Sequence, residues 1–269
     1  MAAIRALIRA SHPGPAVLVT TVAVLLGVGF GRTPADIVLI GLAVMAGQLS
    51  IGWHNDHLDL DRDLAAARLD KPLATGEIPA GAVRWAVAVS AVACVVFSLL
   101  TGPAGGVLHI AAVASAWSYN QFYKHTPWSV LPFVFSFGLL PAFVAGGPTA
   151  APWWTVLAGG LLGGGAHFAN VLPDLADDAA TGVRGLPHRF GRLGSELTAA
   201  GLLLAAAIIL AVAIGRWYAL TGLAVAVIAI PVGLWLGRNH GGRMVFRTVM
   251  ALALVDVVLL VAGSASVTA

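Results

Sequence analysis

Charged side chains are scarce in this sequence: only 10% of its 269 residues are Asp, Glu, Lys or Arg. A soluble domain carries about 25% charged residues, so a chain this poor in charge is not expected to stay dissolved in water. Apolar residues make up 59% of the sequence, and the mean hydropathy is +0.90. We therefore predict a polytopic membrane protein whose main solvent is lipid.

Several functional signatures are also missing. The one cysteine, Cys94, excludes an intrachain disulfide and cannot form a thiolate metal site without further ligands. The chain has no P-loop, no Gly-x-Ser-x-Gly motif and no His-Glu-x-x-His motif, and it lacks the Gly and Glu of an EF-hand loop. The net charge of +3 is small and the basic residues form no cluster typical of nucleic-acid binding. No nucleic-acid partner is predicted.

Apolar segments recur along the chain and are separated by short polar breaks. Each is close to the roughly 20 residues that a helix needs to cross a bilayer. Nine spans are predicted, near residues 14–31, 35–54, 83–101, 104–121, 128–146, 152–171, 195–214, 217–236 and 245–263. Turns such as Gly102-Pro103 separate neighbouring spans.

Lys and Arg residues are distributed unevenly between the two sides that nine spans define. Thirteen of the 15 fall on the side of the N-terminus, and only Arg32 and Arg216 fall on the other. Positive charge accumulates on the cytoplasmic side of membrane proteins. The N-terminus and the two longest polar loops, 55–82 and 172–194, are therefore predicted to be cytoplasmic, in a bacterial-type cell membrane.

These two loops hold nine of the 12 acidic residues, and both begin with the spacing Asn-x₃-Asp-x₃-Asp. The members are Asn55, Asp59 and Asp63 in the first loop and Asn170, Asp174 and Asp178 in the second. Residues four apart share one face of a helix, where like charges are destabilising without a compensating cation. Carboxylate and amide oxygens suit Mg²⁺, which shares its ligands with substrate phosphates. Two such ladders, the second made less regular by Pro173, predict a Mg²⁺–diphosphate site.

Basic residues on the same side could hold the remaining phosphate oxygens. They are Arg68, Lys71, Lys124, Arg184 and Arg189. Each one is explained equally well by the positive-inside bias, and the acidic residues could be ordinary solvated loop residues. Two acidic runs with equal spacing, each after an apolar helix on the same side, favour the binding site over that alternative.

The motifs resemble those of the UbiA superfamily of intramembrane prenyltransferases. The first family motif is similar to Asn55-Asp56-x-x-Asp59-x-x-x-Asp63 followed by Arg68 and Lys71-Pro72-Leu73-x-x-Gly76. The second is similar to Asp174–Asp178 followed by Gly182-Val183-Arg184. A Tyr and a Lys between spans four and five of the family resemble the run from Tyr119 to Lys124, in which Tyr119 or Tyr123 could take the part of the tyrosine. The start, Leu7-Ile8-Arg9 with Pro13, resembles the family's first helix.

The resemblance covers essentially the whole chain, so a single domain over residues 1–269 is expected. It implies an all-α fold with nine transmembrane helices around a central cavity and with cytoplasmic cap loops. It also implies Mg²⁺-dependent transfer of a prenyl group from a prenyl diphosphate to an aromatic or other lipophilic acceptor, through ionisation to an allylic carbocation.

Residue roles follow from the resemblance position by position. The metal ligands would be Asn55, Asp59, Asp63, Asp174 and Asp178, with Asp56 and Asp177 as secondary candidates. The diphosphate contacts would be Arg68, Lys71, Lys124, Arg184 and, more weakly, Arg9. The catalytic residues would be Tyr119, Lys124, Asp59 and Asp174, with Tyr119 near the reacting carbon.

Two other functions stay open. A terpene cyclase on the same scaffold would capture the cation with the double bonds of its own substrate and would need no acceptor. A transporter or binding protein for anionic lipid would have broken helices and a site near the bilayer midplane, whereas the acidic residues here follow helix ends. His167 and the intramembrane Asp256 could each be functional or simply packed in the core. The acceptor, the prenyl length and the oligomeric state are not indicated.

Overall fold

The computed structural model describes residues 2–180 and 182–240, together with 244, 247, 248, 251, 252, 254, 255 and 258, and this part of the chain is all-helical. Its helices are α1 (Ala2–Ala10), α2 (Pro13–Gly29), α3 (Pro34–Leu58), α4 (Leu60–Ala65), α5 (Ala80–Leu100), α6 (Pro103–Gln121), α7 (Leu131–Ala145), α8 (Trp153–Val171), α9 (Leu175–Ala180), α10 (Leu186–Ile214) and α11 (Trp217–His240). A short 3₁₀ helix, Tyr123–His125, follows α6.

Eight of the nine predicted spans coincide with helices, namely α2, α3, α5, α6, α7, α8, α10 and α11. The ninth, 245–263, lies mostly outside the described residues, as does Asp256. By length and composition, four of the described helices could cross a membrane: α3, α5, α10 and α11. The pair α1 and α2, bent by 63°, makes a fifth if it is counted as one span. The predicted count of nine spans is therefore not confirmed.

The remaining helices fall short of that criterion for reasons visible in their sequences. α7 has only 15 residues. α6 and α8 have 19 residues each, but polar residues close to their C-terminal ends, such as Asn120, His167 and Asn170, reduce their hydropathy. These polar residues lie at the same end of the bundle as the two acidic loops.

Helix ends are set by local chemistry. α2, α3 and α6 each begin at a proline, whose missing N–H would have no helical partner at that position. The Thr33 hydroxyl caps α3 by accepting a hydrogen bond from the Asp36 N–H, at 3.2 Å. Gly146 follows α7 with φ 103°, in the left-handed region that glycine adopts without strain.

Helices that are adjacent in sequence also pack against each other in space. α3 contacts α2, α5 and α6, while α7 lies between α6 and α8, and α10 packs on both α8 and α11. Two approaches are close enough to require glycine. A Cβ at Gly163 of α8 would lie 2.5 Å from the Phe133 carbonyl oxygen of α7, and a Cβ at Gly52 of α3 would lie 2.3 Å from the Ser11 carbonyl oxygen. The bend between α1 and α2 is therefore seated directly on α3.

The largest apolar core lies toward the end of the bundle that is remote from the acidic loops. It contains Ile40 and Val44 from the N-terminal half of α3 and Phe143 and Val144 from the end of α7. The acidic motifs follow the opposite ends of α3 and α8. This arrangement leaves the polar ends of α3, α6 and α8 to form a site.

Candidate active site

The first Asn/Asp motif keeps helical geometry across a junction between two helices. α3 ends at Leu58 and α4 begins at Leu60, with Asp59 between them. The Asp59 N–H donates to the Asn55 carbonyl oxygen at 3.0 Å, and the Asp63 N–H donates to the Asp59 carbonyl oxygen at 2.8 Å. Because both hydrogen bonds span four residues, the three side chains stay on one face, and all three line the same cavity.

The second motif is less regular, as Pro173 led us to expect. The Asp174 N–H donates to the Val171 carbonyl oxygen at 3.2 Å, a tighter turn than an α-helix makes. Helical spacing resumes at α9, where the Asp178 N–H donates to the Asp174 carbonyl oxygen at 2.8 Å. Asn170, Asp174 and Asp178 nevertheless line the same cavity as the first motif.

We call this space the polar cavity; its volume is about 210 Å³. Its charged lining residues are Asp59, Asp63, Asp174 and Asp178 and the cations Arg62, Arg68, Lys71 and Lys124. Four carboxylates thus face four cations. Within the described part of the chain, no three His, Cys, Asp or Glu side chains are grouped closely enough to hold a metal ion by themselves. An ion that takes further ligands from amides, water and a bound phosphate, as Mg²⁺ does, fits this divided set of oxygens.

Each of the four cations already contacts a carboxylate. The buried Asp59 accepts hydrogen bonds from Lys124 Nζ and, at 2.8 Å, from Arg62 Nη2. Lys71 Nζ donates to Asp56 Oδ1 at 2.6 Å. Two further hydrogen bonds, both 2.9 Å, join the guanidinium of Arg68 to the carboxylate of Asp70.

These contacts and the burial of the site change the acidity of several groups outside the long helices. The Arg68 guanidinium holds the pKa of Asp70 at about 2, and the same hydrogen bonds raise the pKa of Arg68. Burial raises the pKa of Asp63 and also that of Asp178. In both cases burial outweighs the nearby cations, which include Arg62, and a bound metal ion would further stabilise the ionised carboxylates.

A second, apolar space adjoins the polar cavity. We call it the apolar chamber; its volume is about 260 Å³, and helices α2, α3, α6, α7 and α8 form its walls. His12, Asn55, Tyr119 and Asn170 line both spaces. The chamber extends to Val44 and Leu140 and to His109, whose Nδ1 lies 2.7 Å from Ser98 Oγ. A ligand with an anionic head and an apolar tail would fit across the shared boundary.

The structure distinguishes the two candidate tyrosines. Tyr119 lies at the boundary of the two spaces, with its ring edge-to-face with Phe133 and His167 at centroid distances of 5.0 Å and 5.5 Å. Tyr123 is 36% exposed and lines neither space. His167 also lines the polar cavity, where its Nε2 lies 3.0 Å from Ser129 Oγ. Phe133 and Phe137 line the apolar chamber.

Four residues proposed from the sequence, Arg9, Asp56, Arg184 and the exposed Arg189, do not line either space. Arg9 is exposed and donates to Glu77 Oε1 at 2.5 Å. Arg184 is exposed. Asp56 is buried, but it contacts Lys71 and His12 behind the cavity lining. The side chain of Asp177 lies outside the described residues.

Several lining residues were not proposed as site residues from the sequence. Arg62 lies inside the first motif, so its position there was a usable signal. His12 reaches Asp56 from 44 residues away, and His188 follows the second motif by ten residues; neither has a spacing that identifies it.

Comparisons with known proteins agree with this arrangement. The sequence model described as the UbiA prenyltransferase family matches residues 16–255. A UbiA homologue from Archaeoglobus fulgidus, in a structure bound to GPP and Mg²⁺, has a TM-score of 0.77 and 16% identity, covering 97% of this chain and 99% of that chain. The apo UbiA homologue from Aeropyrum pernix K1 has a TM-score of 0.73 and 17% identity, covering 93% and 98%.

A third solved structure, concerned with digeranylgeranylglyceryl phosphate synthase in membranes, has a TM-score of 0.69 and 17% identity, covering 99% of this chain and 100% of that chain. Because these sequence identities are low, the similarity to the solved structures is evidence for the fold of this chain only. No curated protein matches the sequence.

Proposed function

Because this chain belongs to the UbiA prenyltransferase family, we propose that it transfers a prenyl group from a prenyl diphosphate to an aromatic or other lipophilic acceptor, with Mg²⁺ as its cofactor. The observation that carries the proposal is that the polar cavity and the apolar chamber share the lining residues Asn55, Tyr119 and Asn170, so that the two spaces are neighbours. A diphosphate suits the first space and a prenyl chain suits the second. The homologue structures bound to DMAPP or GPP together with Mg²⁺ support this choice of substrate and cofactor.

The metal ligands in this proposal are Asn55, Asp59, Asp63, Asp174 and Asp178, all of which line the polar cavity. When bound, Mg²⁺ neutralises charge on the diphosphate and so makes it a better leaving group. The oxygen atoms of the five proposed ligands come from two separate motifs. This suits Mg²⁺, which would take part of its ligands from the protein and part from the diphosphate.

The ion pairs give the cations a second role. Lys124 and Arg62 now neutralise Asp59. A metal ion at Asp59 would take over that neutralisation and release both side chains to donate hydrogen bonds to phosphate oxygens, which are strong when both partners are charged. Lys71 and Arg68 would contact the diphosphate from the same side, since both line the cavity.

In the reaction we propose, the bond between the prenyl C1 and its oxygen breaks, and the electron pair leaves with the diphosphate. The electrons of the acceptor then form a bond to C1, and an aromatic acceptor loses a proton. The ring of Tyr119 lies at the boundary of the two spaces, and that of Phe133 lines the apolar chamber next to it. Both rings would stabilise the allylic cation. The apolar chamber would keep water away from it.

The test is turnover by the purified protein with radiolabelled geranyl diphosphate, a panel of lipophilic acceptors and Mg²⁺. We expect Mg²⁺-dependent release of pyrophosphate and a prenylated product. Asp59→Ala and Asp174→Ala should abolish turnover and leave folded protein in the membrane, whereas Arg184→Ala, a change at an exposed residue, should not. Near-normal turnover in both Asp variants would contradict the proposal.

The same experiment without an acceptor separates the alternatives. A cyclic hydrocarbon formed from the diphosphate alone would indicate a terpene cyclase. Metal-dependent release of pyrophosphate would exclude lipid transport as the only function. We propose that the N-terminus and both motif loops face the cytoplasm. If a membrane-impermeant reagent labelled these loops in right-side-out vesicles, this orientation would be contradicted.

A further inference from the structure

The two walls of the polar cavity differ in where their nitrogen donors come from. All four lining cations belong to the part of the chain between residues 62 and 124, which follows the first motif. The cation nearest to the second motif in sequence, Arg184, is exposed and does not line the cavity. A diphosphate bound between the motifs therefore has Lys and Arg donors from one part of the chain only. We call the lining residues from Asn170 to His188 the second-motif wall. The described residues of this wall must contact the diphosphate through groups other than Lys or Arg.

His188, in the first turn of α10, lies on that wall. Its side chain is 7% exposed. Neither Nδ1 nor Nε2 makes a hydrogen bond of normal geometry, although the Gly185 backbone lies close to the ring. The Asp178 carboxylate is 3.8 Å from Nε2, which is within ion-pair range but beyond hydrogen-bond distance. Buried polar groups without a partner are rare in folded proteins, and such a group at a cavity wall indicates a partner that arrives with the ligand.

The backbone around His188 is held firmly in place. The Leu186 N–H donates to Ser129 Oγ at 2.9 Å, and Ser195 Oγ donates to the Pro187 carbonyl oxygen at 3.0 Å. Gly185 approaches the loop after α6 so closely that a Cβ there would lie 2.8 Å from the Lys124 carbonyl oxygen. The imidazole is therefore fixed at the cavity wall before a ligand binds.

His167 is the other imidazole of α8 and α10 that lines the cavity, and one of its two nitrogens has a partner. Its Nε2 contacts Ser129 Oγ at 3.0 Å, whereas its Nδ1 has no hydrogen-bond partner. Both nitrogens of His188 are still available to a ligand. The difference selects His188.

We propose that His188 binds the diphosphate of the substrate by donating a ring N–H to a phosphate oxygen on the second-motif wall. This inference rests on the proposed function and adds a contact to the same site. An imidazole carries at least one N–H in either protonation state, so it can donate a hydrogen bond to the anion. A hydrogen bond to an ionised acceptor is stronger than one between neutral groups.

The direct test is binding of inorganic pyrophosphate in the presence of Mg²⁺, measured by calorimetry on the full-length protein in detergent. Leucine and phenylalanine at position 188 remove the N–H, whereas glutamine keeps a donor. We expect His188→Leu and His188→Phe to weaken pyrophosphate binding about 10-fold, and His188→Gln to retain most of the affinity. The matched control is His125→Leu, because His125 is exposed and lines neither space.

A structural role for His188 predicts a different pattern. It would lower the unfolding temperature of the leucine and phenylalanine variants and leave pyrophosphate affinity of the folded fraction unchanged, which would overturn the inference. The KM for the prenyl diphosphate should rise with the dissociation constant, while the KM for the acceptor should stay constant. Equal affinity in wild type and His188→Phe would also overturn it.

The outcomes separate this inference from the function on which it rests. If the wild-type protein neither binds pyrophosphate with Mg²⁺ nor releases it from a prenyl diphosphate, the proposed function itself fails. If the wild-type protein does both and the variants at position 188 match it, only the role of His188 fails.

Discussion

The two Asn/Asp motifs have the same spacing, but they reach the polar cavity through different structures. The first follows a helical path through Asp59, which Lys124 and Arg62 already neutralise. The second turns at Pro173, and none of the four cations that line the cavity comes from its part of the chain. The comparison indicates that the first motif is electrostatically organised before a ligand arrives, whereas the second depends more on the ligand. Four predictions test this difference, from the largest expected effect to the smallest.

The largest effect is expected from alanine at Asp59 compared with alanine at Asp174. Both variants should lose about 100-fold or more in turnover, because each removes a proposed metal ligand that would help to stabilise the departing diphosphate. Only Asp59→Ala also leaves the buried Lys124 without its carboxylate, and breaking a buried ion pair costs about 3–5 kcal/mol. Thermal unfolding in detergent measures this second effect. Equal stability of the two variants would remove the difference between the motifs.

Asparagine at Asp63 is expected to separate stability from activity. The substitution keeps the shape and removes a buried charge whose pKa burial has raised. In EDTA the unfolding temperature should therefore rise by about 2 °C, while Mg²⁺-dependent turnover falls. A lower unfolding temperature of Asp63→Asn in EDTA would contradict the idea that burial destabilises the ionised form of this carboxylate.

The tyrosines should give a smaller effect that depends on the boundary between the two spaces. Tyr119→Leu removes an aromatic face at that boundary, and an aromatic contact with a cation contributes up to about 2 kcal/mol when water is excluded, so kcat should fall about 10-fold. Tyr119→Phe should stay close to wild type. Tyr123→Leu changes an exposed residue and should have no effect on kcat. Equal losses for Tyr119→Leu and Tyr123→Leu would refute this assignment.

The smallest effects are expected at the two arginines that lie outside the cavity. Arg184→Ala should leave the KM for the prenyl diphosphate unchanged, although Arg184 follows the second motif in sequence. Arg9→Ala breaks only an exposed ion pair with Glu77, and such pairs contribute little. A clear rise in KM for Arg184→Ala would mean that the second-motif wall does contain a cation, and the comparison above would need to be revised.

The sequence was sufficient for the parts of this protein that depend on local periodicity. Eight predicted spans coincide with helices, because long apolar runs between Gly and Pro turns are local signals. The placement of Asn55, Asp59 and Asp63 on one face followed from their spacing alone, as did the irregularity at Pro173. The resemblance to the UbiA family is confirmed by the match over residues 16–255.

Contacts between distant segments could not be predicted in this way. Arg9 pairs with Glu77 across 68 residues, and Asp56 contacts His12 across 44, so neither side chain is available to the cavity as the motif pattern suggested. His188 is identified only by its burial and by its lack of partners, which are properties of the folded chain. The span count of nine stays unconfirmed, because α7 has only 15 residues and the ninth span lies mostly outside the described residues.

The ion pairs around Asp59 also affect which anions can compete with the substrate for the polar cavity. Lys124 and Arg62 are already bound to a carboxylate, so a bare anion must displace that carboxylate before it can use either cation. A diphosphate that arrives with divalent ions satisfies the carboxylate and the cations together. We therefore expect free phosphate and metal-free nucleotides to be weak inhibitors. The pairing would protect the site from common anions while leaving it open to a rare lipid.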